Sequence, residues 1–160
     1  MSAADPDAEA ITAEGLETLK ADLHELETSA RRAMADRIRY ARSLGDLKEN
    51  AEYHSAKDDQ ALLETKIKRL QERLRRAVVV ETAPEGTTFA FGQTAEVLDE
   101  AAERTHVWSI VGPTEADLAQ GRLSAESPVG RALLGLAPGE SVVVETPRGE
   151  RTFRVERIVG

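Results

Sequence analysis

Two apolar stripes, each stepping by three and four residues, constrain this chain more than any other feature. Leu16, Leu19, Leu23, Leu26, Ala30 and Ala33 open the first, and its register continues to Arg37, Tyr40 and Leu44. Tyr53, Ala56, Gln60, Leu63, Ile67, Leu70, Leu74 and Ala77 make the second. That spacing places each set on one face of an α-helix, and neither stretch contains proline. Thr12 is a suitable N-cap for the first helix and Gly45 a suitable stop. Two such stripes joined by a short turn bury each other best as an antiparallel coiled-coil hairpin, with arms of roughly 40 Å at the helical rise. Alanines, Arg37 and Gln60 make the seam thin towards the turn, so the rod is shaped to reach rather than to enclose. Heptads alone would also suit a dimerisation coil, but the immediate turn at Gly45 favours pairing within the chain.

From Val78 onward the pattern becomes that of strands. Residues 78–80, 94–98, 106–111, 141–145 and 151–158 are β-branched or alternating. Pro84-Glu85-Gly86, Gly112-Pro113, Pro138-Gly139 and Pro147-Arg148-Gly149 mark turns, the last joining two strands as a hairpin. Ser127 as N-cap, Pro128 at the first position and Gly135 beyond the end frame one short helix over 128–134. The predicted fold is therefore α+β: a helical hairpin in residues 1–77, then a small antiparallel sheet carrying one helix in residues 78–160.

Composition removes several functional classes. There is no cysteine, so disulfides and thiolate metal sites are excluded. No apolar run approaches a membrane span, and the acidic, polar start is not a signal peptide, so the expectation is a cytoplasmic protein with no membrane partner. A net charge of −8 argues against unspecific binding to a polyanion. The charge is uneven: residues 1–77 carry 16 acidic against 14 basic groups, and residues 78–160 carry 13 against 7 with no lysine. If any part meets nucleic acid, it is the first. His24, His54 and His106 have no ligand spacing, and the two on or near the helical arms, His24 and His54, read as solvated. No phosphate-binding glycine loop or nucleophile elbow is present.

What remains is the turn, Gly45-Asp46-Leu47-Lys48-Glu49-Asn50-Ala51-Glu52-Tyr53. It carries Asp46, Glu49 and Glu52 at the far end of a hairpin, where there is no core to stabilise. Asp46 and Glu49, three apart, can bring their carboxylates together. Two exposed carboxylates make a poor permanent metal cage, yet they suit Mg²⁺ when a partner supplies the other ligands. The same Asp-x-x-Glu spacing is also a capping box, with Asp46 as N-cap and Glu49 reaching back. Spacing leaves both readings open. Arg31, Arg32, Arg37, Arg39, Arg42 and Lys57 flank the turn, either as a salt-bridged surface or as a basic path guiding a nucleic-acid end to the tip.

The turn, extended to His54, closely resembles the coiled-coil tip of bacterial Gre transcript-cleavage factors. A second match, Ser127-Pro128-Val129-Gly130-Arg131-Ala132-Leu133-Leu134-Gly135 with Thr146-Pro147-Arg148-Gly149-Glu150, is similar to that family's FKBP-like C-terminal domain. The resemblance runs from about Thr12 to Ile158. Arg148 departs from it, standing where the family's last hairpin commonly has glycine.

The resemblance implies an accessory factor rather than a self-contained enzyme. Its coiled coil would enter the secondary channel of bacterial RNA polymerase core and stimulate cleavage of backtracked nascent RNA. Asp46 and Glu49 would be the catalytic pair, sharing a Mg²⁺ bound transiently in the polymerase active site, with no metal held by the isolated protein. Gly45, Leu47, Asn50, Glu52 and Tyr53 would support the tip. Arg37, Arg42 and Lys57 would be candidates for contacting the RNA 3′ end. Ser127, Pro128, Leu133 and Leu134 would be candidates for docking on the polymerase, with the factor acting as a monomer. Some relatives enter the same channel without cleaving, so a non-cleaving regulator is the alternative.

Overall fold

The computed structural model describes residues 7–81 and 87–159. The turn expected at Pro84-Glu85-Gly86 lies outside them. Cα proximity divides the chain into two compact units, Leu16–Ala77 and a second that joins the segment up to Gly15 to everything from Val78 on. The described start of the chain thus belongs with the C-terminal unit, whereas the sequence pattern had grouped it with the hairpin.

The first unit is a long helical hairpin. Helix α1 (Ala13–Glu25) runs through one π-helical turn (Leu26–Ala30) into α2 (Arg31–Ser43), and α3 (Ala51–Arg76) packs back along α2 and the π turn. Thr12 caps α1, its Oγ1 accepting from the Gly15 N–H at 3.0 Å. The π turn explains a register change that spacing could not show. A π turn closes its hydrogen bonds at i+5 and so inserts one extra residue. Leu19 and Leu23 are buried as expected, but beyond the insertion the stripe moves from Ala33, Tyr40 and Leu44 to Met34, Ile38 and Ala41. Tyr40 is 65% exposed and Leu44 55%, while Ala41 is 1% exposed. Helix α3 has no such break: Ala56 and Ile67 are buried, and Tyr53, Gln60, Leu63, Leu70 and Leu74 are half-buried in the expected register. Its 26 residues span about 39 Å.

Arginines bridge the arms. Arg31 grips Glu64 with two bonds of 3.0 and 2.9 Å, and that contact holds the Glu64 carboxyl below the usual carboxylate range. Its contribution is present above the ordinary carboxylate pKa and lost as pH falls through the lowered one. Both groups are over two-fifths exposed, so solvent screens most of it.

In the second unit β1 (Glu9–Ile11) pairs with β2 (Ala77–Val79). A five-stranded sheet follows in the order β5-β4-β3-β7-β6, from β3 (Thr94–Asp99), β4 (Arg104–Val111), β5 (Arg122–Ser124), β6 (Ser141–Thr146) and β7 (Gly149–Ile158). Four strands are antiparallel as predicted; the short edge strand β5 is an addition and runs parallel to β4. Alternation puts Ala95 and Val97 of β3, Trp108 and Ile110 of β4, and Phe153 and Val155 of β7 into one core with Phe89, Leu123 and Val144. Helix α4 (Pro128–Leu133) covers it. Ser127 Oγ accepts from the Gly130 N–H at 3.0 Å and donates to the Ser124 carbonyl at 2.7 Å. Glu115 receives the N–H groups of Thr12 and Gly112 at 3.0 and 3.1 Å, tying Thr12 to the loop after β4 within this unit.

Gly130 is set by close approach. A Cβ there would lie 1.9 Å from the Ser124 carbonyl oxygen, a backbone atom that cannot swing aside. Gly130→Ala is therefore expected to destabilise this unit by about 1–3 kcal/mol through overpacking. Urea unfolding followed by the fluorescence of Trp108, the sole tryptophan, would measure it.

Candidate functional site

The tip is built from the end of α2, the loop 45–50 and the first turn of α3. Helix α2 closes with Leu44 N–H on the Ala41 carbonyl and Gly45 N–H on the Arg42 carbonyl, at 3.2 and 3.3 Å. Gly45 has φ +107°, with open space where a side chain would stand. Glycine is needed there for the backbone conformation, not for room. Asp46 Oδ1 then accepts from the Lys48 N–H at 3.1 Å, an Asx turn that curls the loop.

Asn50 locks the loop's far end. Its Nδ2 donates to the carbonyls of Ala41 at 2.6 Å and Gly45 at 3.3 Å, while its Oδ1 accepts from the Tyr53 N–H at 3.0 Å. One side chain thereby caps α3 and ties it to the end of α2. The capping-box reading of the carboxylates is overturned: Asn50 is the N-cap, Asp46 lies four residues upstream, and Glu49 precedes the cap and cannot serve as N3. Asn50→Ala removes the cap and both carbonyl bonds, and is expected to lower hairpin stability by about 1–2 kcal/mol. Thermal unfolding followed by helical circular dichroism would show it.

Asp46, Leu47, Lys48, Glu49 and Glu52 are all exposed. Beyond the Asx bond, the Asp46 and Glu49 carboxylates have no side-chain partner among the described residues. Glu52 lies in the first turn of α3, where the helix dipole favours a negative charge. Among the described residues no group of three or more His, Cys, Asp or Glu could hold a metal ion. The donor set is two hard carboxylates on a braced loop, which fits Mg²⁺ only as a share of a larger ligand set.

The flanking cations divide into two groups. Arg37 is committed to α3, donating to Asp59 at 2.5 Å and to Ser55 Oγ at 3.2 Å. Arg39 pairs with Asp36 at 3.2 Å. Arg42 instead lies 5.7 Å over the Tyr53 ring, a cation–π contact that steadies the guanidinium without neutralising it. Among the described residues, Lys57 hydrogen-bonds the neutral Gln60 at 2.9 Å and forms no ion pair. Arg42 and Lys57 therefore keep their charge available close to the tip.

In the C-terminal unit the docking candidates separate. Pro128 and Leu134 are exposed, and the Ser127 hydroxyl is used as a helix cap. Leu133 is 0% exposed and belongs to the core, so its place among surface candidates is corrected: α4 turns it onto the sheet. A cleft of about 400 Å³ lies alongside, walled by Trp108, Leu118, Val129, Arg148 and Phe153. His106 stacks on Trp108 with ring centres 4.5 Å apart, and Asp99, 1% exposed, is held there by Arg151 at 2.9 Å.

The description "Transcription elongation factor, N-terminal" belongs to a GreA/GreB family model matching residues 9–79, and "Transcription elongation factor, GreA/GreB, C-term" to one matching 83–159. The chain belongs to the GreA/GreB family of transcription elongation factors. Within that family, transcription elongation factor GreA of Bacillus cytotoxicus is 43% identical over 146 residues, 91% of this chain and 92% of that one. GreA of Jannaschia sp. is 40% identical over 92% of this chain and 95% of its own. Among solved structures, GreA factor homolog 1 of Thermus thermophilus covers 96% of this chain and 99% of its own at 27% identity, with a TM-score of 0.43.

Two features of this GreA/GreB-family chain escaped the sequence pattern. His54, read as a solvated surface residue, directs Nε2 at the Lys48 carbonyl across 3.1 Å. The i, i+6 separation of that pair matches no helical or strand periodicity, so no linear signal marks it. The C-terminal cleft draws its walls from β4, β5, β7, α4 and the last hairpin, so it exists only after the sheet has formed.

Proposed function

We propose that this protein is a transcript-cleavage factor of bacterial RNA polymerase. Its hairpin, a coiled coil in this reading, enters the secondary channel, and its FKBP-like C-terminal unit docks outside through the surface around Pro128 and Leu134. One observation carries the proposal: among the described residues Glu49 and one oxygen of Asp46 have no hydrogen-bond partner, on a loop whose backbone is held by Asn50. Neither carboxylate caps a helix, and only one Asp46 oxygen is spent on the loop itself among the described residues.

Asp46 uses one oxygen to shape its own loop, leaving the other without a hydrogen-bond partner among the described residues. Glu49 is free at both oxygens among the described residues. Together they present negative charge to a cation and acceptor oxygens to a water molecule. A Mg²⁺ shared with the polymerase would supply Lewis-acid activation at that point. Arg42 and Lys57 would steady the displaced RNA 3′ segment, with Arg37 contributing only if its pair with Asp59 opens. The factor works as one copy, since the tip loop is complete within one chain.

The test is a backtracked complex of bacterial RNA polymerase with 3′-labelled RNA. Added protein is expected to release short 3′ fragments in a Mg²⁺-dependent manner and restart synthesis. Binding that slows synthesis and releases no fragment at any Mg²⁺ concentration would overturn cleavage in favour of a non-cleaving channel regulator.

A further inference from the structure

We infer that His54 is a positioning residue for the tip carboxylates, acting through the Lys48 carbonyl; its catalytic consequence rests on the cleavage reading above. The anchors of the loop are unevenly placed. The end near Gly45 is fixed by the Gly45 N–H to Arg42 and by Asn50 Nδ2 to Ala41 and Gly45, and Asn50 itself is fixed by Tyr53. Between Asp46 and Asn50, the stretch that carries both carboxylates, the side-chain holds among the described residues are the Asx turn and His54. The Asx turn is internal to the loop and moves with it. His54 is the hold that refers this stretch to a helix.

The geometry sets the chemistry of that hold. A carbonyl oxygen only accepts, so His54 Nε2 must carry the proton it donates across 3.1 Å. The ring stands one turn into α3, where the His54 N–H bonds to the Asn50 carbonyl at 3.1 Å. It meets Tyr53 edge-on at 5.8 Å and 64°, and Tyr53 in turn carries Arg42. A continuous set of contacts thus runs from the flanking cation through two rings to the loop backbone. His54 is exposed, so truncating it opens no core cavity. Its effect falls on loop placement rather than on folding. Displacing a reacting group by about 1 Å is enough to slow chemistry by about 10²-fold.

The experiment compares full-length wild type, His54→Ala and His54→Gln, whose side-chain amide restores an N–H donor. Cleavage is measured on the backtracked complex against factor concentration, and amide exchange of residues 47–50 is measured in the free protein. His54→Ala is expected to lower the saturated rate about 10-fold or more, with an unchanged half-saturating concentration and thermal midpoint. Exchange in the loop should quicken, and His54→Gln should recover most of both losses. A wild-type saturated rate in His54→Ala, or a loss confined to half-saturation, would overturn the positioning role. If wild type itself releases no RNA, the cleavage reading fails separately, and unchanged loop exchange in His54→Ala would then overturn the brace on its own.

Discussion

Asp46→Asn is expected to lower the saturated rate of RNA cleavage in a backtracked complex by about 10²–10³-fold, the scale seen when one preorganised electrostatic group is removed. The substitution is chosen for what it keeps. Asparagine retains an oxygen that can accept from the Lys48 N–H, so the Asx turn is preserved. Asn50 and its three bonds are untouched, so the cap of α3 remains. What disappears is one negative charge on an exposed loop, where truncation leaves neither a cavity nor an unpaired buried group. Half-saturating factor concentration should therefore stay near the wild-type value, and added Mg²⁺ should recover part of the rate. Glu49→Gln should behave alike, and the double substitution should lose far less than the product of the two, because groups acting on one ion fail together. Wild-type cleavage by Asp46→Asn would remove the carboxylate from the chemistry.

Most of the architecture could be read from the chain, and the exceptions have identifiable causes. The stripe of α3 was legible in full because nothing interrupts 26 residues of helix. The stripe of the first arm was legible only to Ala30, since a π turn adds one residue without any change of composition. Tyr40 and Leu44 then look like core positions and stand in solvent. The strands β3, β4, β6 and β7 announce themselves through alternation, whereas β1 and β5, at three residues each, are too short for a period to be seen. At the tip, the residue types were legible but their division of labour was not. Asn50 is as good an N-cap as Asp46, and choosing between them needs the true start of α3. Leu133 shows the same limit from the other side, because a six-residue helix does not reveal which leucine of Leu133-Leu134 meets the sheet.

Phe153→Ala is expected to destabilise the C-terminal unit by about 3–5 kcal/mol, the usual range for truncating a buried aromatic. Phe153 sits on β7 opposite Val142 of β6 and Asp99 of β3, so its side chain is fixed from both neighbouring strands. Its ring lies 5.7 Å from Trp108 at 57°, and Trp108 is itself stacked on His106. Alanine would remove the aromatic pair and leave a void that a central strand cannot collapse to fill. Against a domain stability of roughly 5–15 kcal/mol, that loss is large enough to move the denaturant midpoint well below wild type. Phe153→Leu keeps most of the apolar volume and should lose much less, near the aromatic pair's own share of about 0.5–1.5 kcal/mol. Trp108 fluorescence reports both transitions directly, since its ring is the partner that changes surroundings. In cleavage assays run within the variant's unfolding transition, the pattern should be the reverse of Asp46→Asn. Docking weakens as the folded fraction falls, raising the half-saturating concentration, while the saturated rate set by the tip stays near wild type. A Phe153→Ala midpoint indistinguishable from that of Phe153→Leu would mean that the ring does not hold the sheet together.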